Sequence, residues 1–396
     1  MPTIGPYQCD RATFTRILQQ FPPLHTFGMN TPITGPFDGK INSIYRIDLT
    51  PENALIFRTR ISKAFRYEPI VKEKILYPFL DRTLTCDTPH LEKKIDAIIN
   101  SRQGTYIFQS DRPSITPVQD LLYYYEPEAA VPPVTGNPEE ILPPRKFPFL
   151  VTIKNYLPGQ SLFDILKTLP PNEHNSAAIL TTMELIGRVL GDLHSIRFDG
   201  FYDQITDIAH PKKRLLWKEL FAAQWKKNLT DAAQYPAFKP LIPAVDRFYR
   251  EFGPSVEQDE EAVLFHNDFQ AQNLLFRFHD NLPWSDTKKL EFTGVIDFDN
   301  WRIGPRAQDF VKMEYWTIQD HQPWLDAFYR GYHSRFPVTK ELKARIVIYK
   351  ILWFMLVYAF EMDKIRKAEQ NITVDSRFPA ADKYLQDIEK NLETIG

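Results

Sequence analysis

The chain has 396 residues, 43% hydrophobic and 25% charged, with a formal net charge of −2. That is enough apolar material for two lobes around large cores, and the charge balance excludes a dominant nucleic-acid footprint. Two cysteines, Cys9 and Cys86, make neither a disulfide framework nor a zinc site, which fits a reducing, cytoplasmic setting.

Asp10 predicts the cap of a helix running to Phe21, with Phe14, Ile17, Leu18 and Phe21 on one face and Pro22-Pro23 as its stop. Gly35 and Gly39 predict a turn before a strand over 41–47, where Ile41, Ser43, Tyr45 and Ile47 alternate with Asn42, Ile44 and Arg46. The next strand, 55–61, projects Arg58 and Arg60 on one side. Residues 69–80 read as a helix that carries Glu73, residues 117–125 return to the sheet, and the proline-rich 126–147 read as a loop. A buried strand over 147–155 then runs through Tyr156 and Leu157 into Pro158-Gly159 and a helix start.

The stretch 176–196 is amphipathic, with Ile179, Met183, Ile186, Leu190 and Leu193 at spacings of three or four, and His194 near its end reads as structural. Residues 211–253 continue helical. The acidic run at 257–261 reads as a solvated loop. The most apolar run, 346–360, is short and carries Lys350, so it reads as a buried helix and not a membrane span. The opening Met-Pro-Thr-Ile-Gly-Pro-Tyr has no basic and apolar leader. Neither a membrane association nor an obligate protein partner is expected.

The chemistry concentrates between 264 and 310. An apolar strand at 262–265 delivers His266 and Asp268, Asn273 follows five residues after Asp268, and a second apolar strand at 292–296 delivers Asp297. Phosphoryl transfer needs such a set. One carboxylate must orient the attacking hydroxyl and accept its proton, while an amide oxygen and a second carboxylate hold magnesium against nucleotide phosphates.

His266-Asn267-Asp268 with Asn273, followed by Asp297-Phe298-Asp299, resembles the catalytic and metal-binding segments of the aminoglycoside phosphotransferase and choline kinase superfamily. The resemblance implies an α+β, two-lobed protein-kinase-like fold: an N-terminal antiparallel sheet lobe over 1–156 and a larger, mainly helical C-terminal lobe over 157–396. It makes Asp268 the catalytic base, with His266 orienting the loop, and Asn273 and Asp297 the Mg2+ ligands. Asp299 is a further candidate for metal or substrate. ATP or GTP would meet the turn at Gly39 and Asn42, then Arg58 held by Glu73, and the backbone at Asn155, Tyr156 and Leu157. Gly304-Pro305 leads to Asp309, which in the family caps the following helix and braces the loop.

Protein kinases carry Asp-Phe-Gly where this chain has Asp297-Phe298-Asp299, which favours a small-molecule hydroxyl acceptor over a protein. All seven tryptophans lie beyond residue 157, as do Glu314, Asp320, Asp326, Glu361 and Asp363. Rings and acids together point to a cationic acceptor, an amino alcohol or aminoglycoside-like compound. A nucleotide-binding scaffold without turnover is the alternative, with a protein kinase behind it.

Overall fold

The computed structural model describes residues 3–4, 7–37, 42–50, 53–60, 76, 121–125, 150–198, 200–201, 216–257, 261–369 and 381–394. Gly39, Glu73 and the stretches 83–117 and 126–147 lie outside the described residues, as does the 69–80 helix apart from helical Leu76.

After a two-residue hairpin, β1 (Thr3–Ile4) with β2 (Tyr7–Gln8), comes α1 (Arg11–Leu18). Its cap is as expected: the Asp10 carboxylate accepts the Thr13 N–H at 2.6 Å. The helix stops at Leu18 and not at Phe21. Phe21 precedes a proline and takes an extended ψ of 123°, and Pro22–Leu24 form a separate 3-10 turn.

Five antiparallel strands follow: β3 (Ile33–Phe37), β4 (Asn42–Asp48), β5 (Ala54–Arg60), β6 (Leu121–Tyr125) and β7 (Val151–Asn155), in the order β3-β4-β5-β7-β6. Gly35, read as part of a turn, lies within β3, whereas Gly39 is outside the described residues. Gly35 takes φ +123°, and a Cβ there would meet the Ile44 carbonyl at 2.6 Å, so glycine lets β3 lie close on β4. One face of the sheet buries Tyr45, Ile47, Phe57, Tyr123 and Ile153 against Phe14 and Phe21. The register sets Arg58 opposite Thr152 and Ile56 opposite Lys154. Strand alternation therefore puts both buried cations on the other face.

A second core fills the rest of the chain. β8 (Gln160–Ser161) leads into α2 (Leu162–Lys167), capped by Ser161. Then come α3 (Ala177–His194), β9 (Arg197–Phe198), α4 (Trp217–Ala233) and α5 (Ile242–Glu257). β10 (Ala262–Phe265) pairs with β9 and β13 (Arg302–Gly304), and β11 (Leu274–Phe278) with β12 (Leu290–Val295) and β8. A short turn, α6 (Phe310–Lys312), runs into a π-helix at Met313–Ile318, and α7 (Gln322–His333), α8 (Lys340–Glu369) and α9 (Ala381–Thr394) complete the fold.

α3 and α7 cross where both carry glycine. A Cβ on Gly187 would strike the Phe328 carbonyl, and one on Gly331 the Glu184 carbonyl. This crossing fixes the floor beneath β10. Glu261, read as part of a solvated loop, pairs with Arg306 and lies 3.7 Å from Arg197. Among the described residues, no helix is long and apolar enough to cross a membrane.

Candidate active site

Two strand ends build the site. β10 is buried along its whole length, and the chain leaves it through His266 and Asn267. Asn267 turns the backbone at φ +61°, a left-handed conformation that asparagine tolerates better than most residues. The same device ends β12: Asp297 sits at φ 63°, ψ 58°. The pairing of Leu274 with Val295, and the Ile296 N–H donated to the Asn273 carbonyl at 3.0 Å, bring Asn273 and Asp297 to the same end of the β11–β12 ladder.

His266 locks the two turns together. Its Nδ1 accepts the Asp268 N–H at 3.2 Å, so the ring proton is on Nε2, which donates to the Ile296 carbonyl at 2.9 Å. The ring is fully buried against Phe298, 4.5 Å between centroids. Both ring nitrogens are thus engaged inside the protein, and the ring ties the two turns together.

Asp309 braces the same loop, but differently from the family expectation. It caps no helix with its side chain. Instead its two oxygens accept the His266 and Asn267 N–H groups, each at 2.7 Å, from a side chain that is almost wholly buried. Behind it, His194 Nε2 lies 3.5 Å from Asp309 Oδ2, an electrostatic contact, and Nδ1 meets the Tyr332 hydroxyl at 2.9 Å. Burial pushes the His194 pKa down and outweighs the opposing pull of Asp309. His194 is structural, as read.

Asp268 stands at the open end. Asn273 Nδ2 donates to its carboxylate at 3.0 Å and its carbonyl at 2.8 Å, and Gln270 Nε2 donates to the carboxylate at 3.0 Å. The unforeseen partner is Lys312, whose ammonium lies 2.7 Å from Asp268 Oδ1 and 2.7 Å from the Asn267 carbonyl. Burial alone would raise the Asp268 pKa. The Lys312 charge and the hydrogen bonds from Lys312 and Asn273 outweigh it and hold the carboxyl below its ordinary range. One signal could have found Lys312. It lies three residues after Asp309 in a helical turn, so a brace at 309 puts 312 on the same face.

With its N–H groups on Asp268, Asn273 keeps its amide oxygen for another partner. That oxygen and the Asp297 carboxylate are hard donors of the kind Mg2+ takes, and two protein ligands suit an ion whose shell is completed by phosphates and water. The described residues hold no cluster of three or more His, Cys, Asp or Glu that would bind a metal unaided.

Of the expected nucleotide contacts, Arg58 is buried on the sheet face away from α1, and Lys154, not anticipated, shares that face. Asn42 opens β4, and Gly39 and Glu73 lie outside the described residues. Asn155 ends β7, Leu157 is buried beyond it, and the Tyr156 N–H is donated to the Ala54 carbonyl at 2.9 Å. A ligand at this segment would meet the Tyr156 carbonyl or Leu157. The Tyr156 ring carries the Arg46 guanidinium 4.1 Å from its centroid.

Asp268 and Lys312 open onto a cavity of about 730 Å³. Its far wall is one face of α8, where Trp353, Leu356, Val357 and Phe360 fall at i, i+3, i+4 and i+7, joined by Trp316 and by Phe163 of α2. The acids that suggested a cationic acceptor do not line it. Glu314 binds Lys350 at 2.7 Å and the Tyr329 hydroxyl, Glu361 binds Lys364 at 3.0 Å, and Asp363 binds Arg366 and Lys367. Asp326 accepts from Gln322 at 2.7 Å, and Asp320 lies 3.5 Å from Lys390.

The family model described as "Phosphotransferase enzyme family" matches residues 98–344. No curated protein matches the chain by sequence. Among solved structures, a choline/ethanolamine kinase family protein from Mesorhizobium loti is similar at 14% identity and TM-score 0.53, over 97% of this chain and 94% of that one. The apo form of a thermostable mutant of aminoglycoside phosphotransferase APH(4)-Ia is similar at 12% identity and TM-score 0.52, over 96% and 99%. A ternary complex of a thermostable mutant of the same enzyme with ADP and hygromycin B gives 12% identity and TM-score 0.50, over 92% and 93%. These likenesses establish the two-lobed, kinase-like α+β fold.

Proposed function

The chain belongs to the phosphotransferase enzyme family, and from that premise we propose that it is a small-molecule kinase, moving the γ-phosphate of ATP or GTP, bound with Mg2+, onto an acceptor hydroxyl. The observation that carries this reading is Asp268: a carboxylate kept ionised by Lys312, tied to Asn273, and facing a cavity large enough for a substrate. The similar aminoglycoside phosphotransferase bound to ADP and hygromycin B supports a nucleotide donor and a hydroxyl acceptor.

In this reading residues 1–156 form the nucleotide-binding lobe and 157–396 the catalytic lobe. Gly39 and Asn42 lie over the phosphates, Arg58 steadied by Glu73 binds them, and Asn155, Tyr156 and Leu157 border the base. Asn273 and Asp297 would hold the metal, which when bound would supply neutralisation of phosphate charge. Asp268 accepts a hydrogen bond from the acceptor hydroxyl and aims its oxygen at phosphorus. The proton passes to Asp268 as the new O–P bond forms and the bond from the γ-phosphorus to the β,γ-bridging oxygen breaks, leaving the nucleoside diphosphate. Lys312 keeps Asp268 an acceptor before the step and offsets the negative charge gathering beside it during the step. His266 and Asp309 hold the loop still, so catalysis is alignment and preorganised charge.

The test is nucleotide diphosphate release with Mg2+ and ATP or GTP over a panel of hydroxyl compounds, amino alcohols and aminoglycosides included. Turnover on a panel member is expected, and Asp268→Asn should lower it at least about a hundredfold while nucleotide affinity stays. Release no faster than in the absence of acceptor, across the panel, would instead make the chain a nucleotide-binding scaffold.

A further inference from the structure

The chemistry of the cavity beyond Asp268 narrows the acceptor. Resting on the kinase reading above, we propose that the acceptor is an uncharged alcohol with a ring-bearing hydrocarbon body, not an amine. The polar lining is Asp268, Gln270, Lys312 and Thr317, which are bonded within the protein, and the exposed Gln272. Gln270 and Lys312 both donate to the Asp268 carboxylate, and the Thr317 hydroxyl accepts the Ala271 N–H at 2.8 Å. The walls are Phe163, Trp316, Trp353, Leu356, Val357 and Phe360. Phe163, Leu356 and Phe360 are the exposed ones among them, at 42%, 41% and 50%, large apolar groups facing water at the rim of a catalytic cavity.

Charge decides between an apolar body and a cationic one. Among the described residues, Asp268 is the one carboxylate lining this cavity, and Lys312 already neutralises it. A smaller cavity of about 120 Å³ adjoins it across Lys312, Trp353 and Leu356. There Arg302 adds a second cation, and the carboxylate present, Asp309, is bound to two backbone N–H groups. At the rim, Lys364 already lies 4.5 Å over the Phe360 ring. A hollow past Phe360 contains Asp231 and Asp363, each ion-paired. Among the described side chains, an ammonium entering here would lose water, find no open carboxylate and meet positive charge at Lys312 and Arg302. A ring-bearing alcohol would bury its body against the walls and leave its hydroxyl beside Asp268.

The experiment measures binding and turnover separately on the full chain with Mg2+ and ATP or GTP. Phenylethanol, naphthylethanol and cyclohexylmethanol are compared with phenylglycinol and aminocyclohexylmethanol, with binding read by calorimetry and transfer by phosphate gained in the product. The neutral alcohols should bind at least about tenfold tighter than their amine-bearing counterparts. Leu356→Asp, at an exposed position, should narrow or reverse that ratio by supplying the missing charge. Amines binding as tightly as neutral alcohols, or neither set binding, would overturn the proposal even with kinase activity intact. Neutral alcohols that bind without receiving phosphate would overturn the acceptor assignment as well, whereas the kinase reading falls only if no compound of the wider hydroxyl panel receives phosphate.

Discussion

The turns at the ends of β10 and β12 and the cavity beside them share Asp268 and Lys312 but are built on opposite principles. In the turns nearly every polar group has an assigned partner: His266 on Asp268 and Ile296, Asp309 on two N–H groups, Asn273 and Lys312 on Asp268. The cavity wall has hydrocarbon surface and few polar anchors. Directional bonds fix one geometry, as a reaction requires. Apolar walls recognise size and absence of charge, and tolerate change.

That contrast can be tested from the larger effect to the smaller. Lys312→Met keeps the side-chain length and removes the charge. Turnover should fall roughly tenfold to a hundredfold with acceptor affinity little altered. Equal turnover would mean the ion pair is only structural. In the cavity, Trp353→Ala should raise the acceptor KM about fivefold to tenfold through lost contact area, with kcat within about twofold. A large fall in kcat with unchanged KM would erase the division of labour between the two regions.

The smallest effect concerns the foundation of the turns. His194 is held neutral by burial, so its pKa lies below the ordinary value of 6.5. Below that value the unfolded chain takes up a proton that the folded chain refuses, so stability falls as pH falls from about 6.5. His194→Gln should make this fall shallower, by at most about 1.4 kcal/mol per pH unit for one proton. Urea unfolding at pH 7.5, 6.5 and 5.5 measures it, and identical slopes in both proteins would show that His194 does not titrate across folding.

The same contrast explains what could be read in the sequence. Asp268 and Asp297 come just after short apolar strands and Asn273 just before one, so the strand pattern shows where in the fold these three candidates sit. The long helix at 177–194 and the buried run in α8 were legible for the same reason. Lys312 was legible only through its place three residues after Asp309, since its partner Asp268 is distant in sequence, and Lys154 was not legible, because a lone lysine in a strand has no pattern. Gly35 misled because a glycine that lets two strands approach looks like one that makes a turn. The cavity face of α8 was hidden because Trp353, Leu356, Val357 and Phe360 repeat with the period of any core-facing stripe. Only the packing shows that this stripe is partly open. For the same reason the acids at Glu314, Glu361 and Asp363 looked available, whereas each has a lysine or arginine within the fold.

Metal binding by Asn273 and Asp297, against nucleotide phosphates and beside Asp268, can be measured without knowing the acceptor. Calorimetric titration of ATP and GTP, with and without Mg2+, should show at least about a tenfold gain in affinity from the metal in the unaltered protein, and Asp297→Ala should abolish that gain. An undiminished magnesium gain in Asp297→Ala would contradict the account.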